Sequence, residues 1–166
     1  MNIKLVIFDV DGVLTDGKLY FSAQGDTLKA FNTQDGLGIK MLMSVGIQTA
    51  IISGRTSDIV KARAKELGIT YLYEGCVNKV TAFEECLKAA NLTPEQTAYM
   101  GDDINDLPVL RKVALSAAPP NAIAEVLKAV TFITECTGGD GAARELCEFI
   151  LKSQCLWDEA IKPYGH

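Results

Sequence analysis

The sequence predicts an α/β fold: a doubly wound, mostly parallel sheet carrying one small β-hairpin. Three observations predict it. Short apolar runs without two-residue alternation, such as that of Lys4–Phe8 in "KLVIFDV", suit strands covered on both faces of a parallel sheet. These runs alternate with segments of helical periodicity that begin at capping residues and stop at glycines. Strand–helix alternation implies right-handed crossovers, and the strand ends gather acids, glycines and hydroxyls where open α/β sheets bind ligands.

Each element follows in turn. Lys4–Phe8 is the first strand. Lys18–Phe21 and Thr27–Phe31 flank "SAQGD" and read as a hairpin insertion over residues 17–31. Asp35 caps a helix that carries Ile39, Leu42 and Met43 on one face and stops near Gly46. Ile47–Ile52 is the second strand of the main sheet. Thr56 or Ser57 caps a helix with Ile59, Val60, Arg63 and Leu67, ended by Gly68. Tyr71–Tyr73 is a short strand, and Asn78 caps the next helix, whose apolar face is Val80, Phe83, Leu87 and Ala90. Thr93–Gln96 has capping-box spacing and fits a single turn. Thr97–Met100 is a strand, with a helix from near Asp106. Val113–Ser116 and Val130–Ile133 are further strands separated by a helix near residues 122–127. The last helix, near Ala142–Leu151, spaces Ala143, Leu146, Cys147, Ile150 and Leu151 along one stripe. Residues 1–152 form one domain, and Ser153–His166 reads as a partly ordered tail.

Composition excludes several classes. Apolar content of 48% and charged content of 22% belong to a globular chain. A net charge of −5 with no basic run argues against nucleic acid as partner. The longest uncharged stretch, residues 41–54, is too short for a bilayer and contains Ser44, Gln48 and Ser53. The N-terminus lacks a basic leader and a long apolar segment, so no secretory signal is expected. The cysteines (Cys76, Cys86, Cys136, Cys147, Cys155) are odd in number and form no C-x-x-C pair, as expected of reduced thiols in a cytoplasm. The only histidine is His166. A Ser–His–Asp triad or an H-E-x-x-H zinc site needs one inside the fold, so carboxylates or lysine must do any acid–base work.

The strand ends read "DVDG", "SGR", Asn78-Lys79 and "GDDIND". An unpaired buried carboxylate costs several kcal/mol, so so many acids on one rim call for a cation. Oxygen ligands of this kind suit Mg²⁺. Plainer readings exist for single residues. Asp35 and Asp106 could be helix caps, Ser53 a turn residue and Lys79 a solvated side chain. A lysine at a helix start opposes the dipole, however, which points to a bound anion there.

Taken together, D-x-D-G at Asp9–Gly12, Ser53 after the second strand, Lys79, and G-D-D-x-x-D at Gly101–Asp106 resemble the four ordered motifs of the haloacid dehalogenase-like phosphatase superfamily. The resemblance implies a Rossmann-like sheet of that type and assigns roles. Asp9 attacks phosphorus and becomes an aspartyl phosphate. Asp11 protonates the leaving oxygen and then activates water. Mg²⁺ is held by Asp9, the backbone carbonyl of Asp11, and Asp102, with Asp103 or Asp106 in support. Ser53 and Lys79 hold the phosphoryl oxygens, and Gly12 and Gly54 let backbone N–H groups approach.

No gap between motifs is long enough for a cap domain. The segments "DVDGVLTDGKLYF", "LKAFNTQDGLGIK", "IISGR", "LGITYLYEGCVNK", "YMGDDINDLPVL" and "GGDGAARE" resemble the capless sugar-acid phosphatases that act on 3-deoxy-D-manno-octulosonate 8-phosphate, a precursor of the lipopolysaccharide inner core. Relatives acting on nine-carbon, sialic-acid-like sugar phosphates share much of this pattern. The resemblance implies a homotetramer in which hairpins pack together and a neighbour covers each site. It matches Asn32, Thr33, Gln34, Asp35, Gly36, Lys40, Arg55 and Arg63 to substrate-contacting positions, beside Asp11, Gly54 and Lys79. Lys40 and the arginines suit a sugar carboxylate. Arg144 either reaches an adjacent subunit's site or is a surface arginine at a glycine-rich helix start. "GGDGAARE" nearly matches a dinucleotide loop, but Arg144 replaces its last small residue and no strand follows, which excludes NAD. Two other classes compete. A phospho-receiver would take phosphate after the third strand, where this chain has "YEGCVNK". A catalytically retired oligomerisation domain would not need intact motifs.

Overall fold

In the computed structural model, which describes residues 1–165, eight strands form in chain order: β1 (Leu5–Phe8), β2 (Tyr20–Ser22), β3 (Gly25–Leu28), β4 (Gln48–Ile52), β5 (Tyr71–Tyr73), β6 (Thr97–Met100), β7 (Leu115–Ala118) and β8 (Phe132–Ile133). The helices are α1 (Thr33–Ser44), α2 (Asp58–Leu67), α3 (Lys79–Ala90), α4 (Leu107–Leu110), α5 (Ala124–Ala129), α6 (Ala142–Ser153) and α7 (Trp157–Ile161). Six strands make the main sheet in the order β5-β4-β1-β6-β7-β8, all pairs parallel; β2 and β3 pair only with each other. The sheet is thus doubly wound from β1, and β1 is the switch point. Its alternate residues feed two cores. Val6 and Phe8 join Ile39, Leu42, Leu146 and Ile150 on one face. Leu5 and Ile7 join Phe83, Cys86, Tyr99 and Leu110 on the other. No described helix is long and apolar enough to cross a membrane.

Several elements depart from expectation. The hairpin turns at Ala23-Gln24, so Ser22 and Gly25 lie in its strands, not in its loop. Asn32 caps α1, its side chain accepting from Gln34 N and Asp35 N at 2.8 and 3.1 Å. Asp35 instead lies in the first turn, buried. Ser57 is the N-cap of α2 by position but makes no side-chain cap bond. Glu74 takes the Ser57 N–H instead, at 2.8 Å. The helix expected from Asp106 starts as a 3₁₀ turn at Ile104–Asp106 before α4. β7 begins two residues later than its apolar run suggests, because parallel register pairs Leu115 with Ala98. β8 is only two residues long, since Val130 still closes α5. The segment after residue 152 forms α7, with Ala160 fully buried and Leu156, Trp157 and Ile161 against the α1–α6 core. Gln154 secures its start by pairing with both the N–H and the C=O of Ile3. His166 lies outside the described residues.

Candidate active site

The chain leaves β1 at Asp9, whose N–H still pairs with Met100 O at 3.0 Å. It then closes a tight turn in which Val13, Leu14 and Thr15 all donate to Val10 O. Gly12 sits in this turn at φ 85°, and a Cβ there would lie 1.9 Å from Asp102 Oδ2. The missing side chain is what lets the β1 and β6 carboxylates face each other. Gly101 does the same for Asp106, whose Cγ would lie 2.4 Å from a Cβ at that position.

Lys79 opens α3 behind the Asn78 cap, which accepts from Val80 N at 3.0 Å. Its ammonium is buried, 3.0 Å from Asp9 Oδ1 and 2.7 Å from Asp106 Oδ1. Asp106 is fully buried and also accepts from Tyr99 O–H at 2.6 Å and from Asp102 N and Asp103 N at 3.0 and 3.2 Å. Its oxygens are thereby committed to protein donors. Asp106 is a helix-turn cap and the hub that orients Lys79. Burial, Asp9 and Asp106 act on Lys79; burial disfavours its charge, but the two carboxylates outweigh this and raise its pKa.

Ligand atoms of Asp9, Asp102 and Asp106 lie within 4.8 Å of one another. Burial first, then the Asp106 charge, pushes Asp9 up to about 6 despite Lys79. Burial, then Asp9 and Asp106, pushes Asp102 to about 8. Two facing carboxylates that resist ionisation are what a hard cation would relieve. With Asp106 already saturated by donors, Asp9 and Asp102 are the carboxylates left to hold one. Asp103 stands beside them, its Oδ1 accepting from Ile104 N at 2.7 Å.

Ser53 follows β4, nearly fully buried, and its Oγ accepts from Arg55 N at 3.3 Å, leaving the hydroxyl proton for an anion. A cleft of about 230 Å³ brings together Asp9, Asp11, Ser53, Gly54, Arg55, Lys79, Asp102 and Asp103, with Gly17 and Asn105 completing its wall.

The other expected substrate contacts lie elsewhere in this chain. Asn32 is engaged as the α1 cap, while Thr33, Gln34 and Lys40 face solvent. Gly36 packs against Arg63. Arg63 pairs with Glu66 at 3.0 Å, donates to Asn32 O at 3.3 Å and lies over Phe31. Asp35 Oδ1 accepts from Arg144 N at 2.8 Å, so it caps α6, which has no side-chain cap of its own. Arg144 Nε pairs with Glu148 at 2.7 Å. None of these residues lines the cleft around Asp9.

Some residues of the site escaped sequence reading. Tyr99 could have been found, because a phenol in a buried strand needs a partner. Asn121 could not. It bridges two loops distant in sequence, donating to Gly12 O at 2.9 Å and accepting from Gly138 N at 2.7 Å. Gly138 is held so close that a Cβ would lie 1.9 Å from Gly12 O. Lys29 and Asp26, on the hairpin, also carried no signal. Lys29 Nζ lies 2.7 Å from Asp11 Oδ1 and 3.4 Å from Asp26 Oδ2.

Residues 72–146 match the haloacid dehalogenase-like hydrolase family. The chain is 45% identical over 159 residues to 3-deoxy-D-manno-octulosonate 8-phosphate phosphatase KdsC of Escherichia coli K12, covering 96% of this chain and 85% of that one. Among solved structures it is similar to a probable YrbI family phosphatase from Pseudomonas syringae pv. phaseolica (TM-score 0.95, 51% identity, 99% of this chain and 95% of that one). It is also similar to the 3-deoxy-D-manno-octulosonate 8-phosphate phosphatase of Moraxella catarrhalis in complex with magnesium, phosphate and KDO (TM-score 0.94, 42% identity, 98% and 94%).

Proposed function

The chain belongs to the 3-deoxy-D-manno-octulosonate 8-phosphate phosphatase family of haloacid dehalogenase-like hydrolases, and on that premise we propose how its residues release phosphate. The substrate is 3-deoxy-D-manno-octulosonate 8-phosphate, and the products are the free sugar acid and inorganic phosphate. The observation that carries the reading is the convergence of Asp9, Asp11, Ser53, Lys79 and Asp102 on one cleft at the sheet's switch point.

Asp9 is the nucleophile. Its carboxylate attacks phosphorus while Asp11 gives a proton to the departing sugar oxygen. Asp11 then takes a proton from water as that water cleaves the aspartyl phosphate. Lys79 and Ser53 hold the phosphoryl oxygens through transfer, with Lys79 aimed by Asp106. Asp9, Asp102 and the Asp11 backbone carbonyl fit Mg²⁺, with Asp103 beside them. When bound, the ion neutralises the carboxylates and polarises the phosphoryl group. Arg55 stands at the mouth for the sugar acid.

The protein works as a cytoplasmic homotetramer built on one catalytic domain, whose core also takes in α7 beyond residue 152. The hairpin supports this: Leu19, Tyr20, Phe21 and Leu28 are all exposed. Thr33, Gln34, Lys40, Arg63 and Arg144, which do not line the cleft of their own chain, are read as contributions to a neighbour's site, with Asn32, Asp35 and Gly36 holding the α1 start that presents them. Phosphate release from eight- and nine-carbon 2-keto sugar phosphates, with hexose phosphates as controls, tests the assignment. The eight-carbon substrate should be hydrolysed with the highest kcat/KM, and only with divalent metal. Preference for a hexose phosphate, or full activity after chelation, would reject it.

A further inference from the structure

Lys29 has no role in the chemistry just described, yet it is a buried cation next to the acid. It follows β3 and is nearly sealed, its side chain 2% exposed. Its ammonium donates to Asp11 Oδ1 at 2.7 Å and lies 3.4 Å from Asp26 Oδ2. Asp26 in turn accepts from Arg55 Nη2 at 2.9 Å, and Arg55 Nε lies 3.9 Å from Asp11 Oδ2. Charges of alternating sign therefore close a ring through Asp11, Lys29, Asp26 and Arg55, joining the hairpin to the first two strand ends. Asp11 follows a strand, on a tight turn, and its side chain is still 22% exposed. Without the ring, its rotamer would be set by solvent.

We propose that Lys29 is a positioning residue that holds the Asp11 carboxyl toward the leaving oxygen. The inference rests on Asp11 as acid and base. As the Asp9 O–P bond forms and the P–O(sugar) bond breaks, the electron pair leaves on the sugar oxygen, and a proton carried on Asp11 Oδ2, the oxygen that does not accept from Lys29, goes to it. A proton donor must stand within hydrogen-bond reach of that oxygen, and Lys29 sets that distance through Asp11. The burial of Lys29 argues against a direct substrate contact.

The test compares kcat/KM on 4-nitrophenyl phosphate, whose leaving group needs little proton help, with phenyl phosphate, whose leaving group needs more. Neither carries a sugar, so altered sugar recognition does not enter. Lys29→Met, similar in length and uncharged, should lose roughly thirtyfold or more on phenyl phosphate but less than about threefold on 4-nitrophenyl phosphate, a large part of the 10²–10⁴ that a positioned acid contributes. Lys29→Arg should restore most of the phenyl phosphate activity. If Lys29→Met does not fold, Lys29→Gln should show the same selective loss. Equal losses on both aryl phosphates, or no loss on either, would overturn the proposal and make Lys29 a structural staple. Asp9→Asn serves as the reference. Retained turnover by that variant overturns the nucleophile assignment itself, and with it the role of Lys29.

Discussion

Two buried lysines each bridge a pair of aspartates at this site, and what surrounds them differs. Lys79 joins Asp9 to Asp106 and begins a helix whose Phe83, Cys86 and Leu87 lie in a packed core. Its ammonium is placed by that scaffold. Lys29 joins Asp11 to Asp26 and follows β3, whose four residues are exposed or half-buried. A two-stranded hairpin has little apolar burial to hold it. Here the ion pairs seat the backbone, whereas at Lys79 the backbone seats the ion pairs. The same motif is anchored by a packed helix in one place and links a protruding element to the first strand end in the other.

The largest expected effect lies at the rigid side. Asp9→Asn should abolish phosphate release, by at least about a thousandfold, with a melting temperature near that of the parent; groups that act as a unit fail together when one is lost. Normal turnover by the folded variant would remove the nucleophile from Asp9.

Next comes stability. Asp106→Ala leaves Lys79 with half its counter-charge and Tyr99 without an acceptor. It should cost about 3–5 kcal/mol in denaturant unfolding, as breaking a buried ion pair does. Asp26→Ala on the hairpin should cost less, because Lys29 keeps its closer partner Asp11 at 2.7 Å. Equal losses would erase the contrast between the two bridges.

Smaller, and of opposite sign on the two sides, are the responses to pH. Asp9 and Asp102 have folded-state values of about 6 and about 8, above the ordinary 3.8. The metal-free folded protein therefore binds protons more tightly than the unfolded chain. Its stability from these groups falls as pH rises from about 4 to about 8. Magnesium needs the ionised forms, so its rise in melting temperature should be larger at pH 8 than at pH 5. An equal rise at both would count against these carboxylates as ligands. Asp26 runs the other way. Burial raises it, but the Arg55 hydrogen bond and the Lys29 and Arg55 charges outweigh that and lower it. Its contribution is present above the ordinary carboxylate value and is lost as pH falls through the folded one.

The smallest effect on the single chain is at the hairpin surface. Phe21→Ser removes an exposed ring and should change unfolding by within about 0.5 kcal/mol. Sedimentation should nevertheless show a smaller assembly. An unchanged assembly would detach the hairpin from oligomerisation.

How much of this was legible follows the reach of each interaction. Asn78, Gly68 and the Thr93–Gln96 capping box were readable because a cap satisfies N–H or C=O groups within a few residues of itself. β5 and β6 were readable to the residue because apolar runs bounded by turn residues leave little choice. Asp35 looks like its own helix's cap in the sequence, but its side chain serves a helix more than a hundred residues away, as the bond from Arg144 N shows. The segment after residue 152 reads as a tail because its apolar residues are few, and only the surface formed by α1 and α6 makes them worth burying.

Sequence by itself determined the alternation of strands and helices, the rim of carboxylates and the order of the four motifs. These depend on periodicity and local spacing, which are properties of neighbouring residues. Only tertiary structure decided that Asp106 aims Lys79, that Asn121 ties the Gly12 turn to Gly138, and that Lys29 reaches Asp11. Those contacts join segments separated by many residues, and their geometry exists only once the sheet has brought the strand ends within a few ångströms of each other.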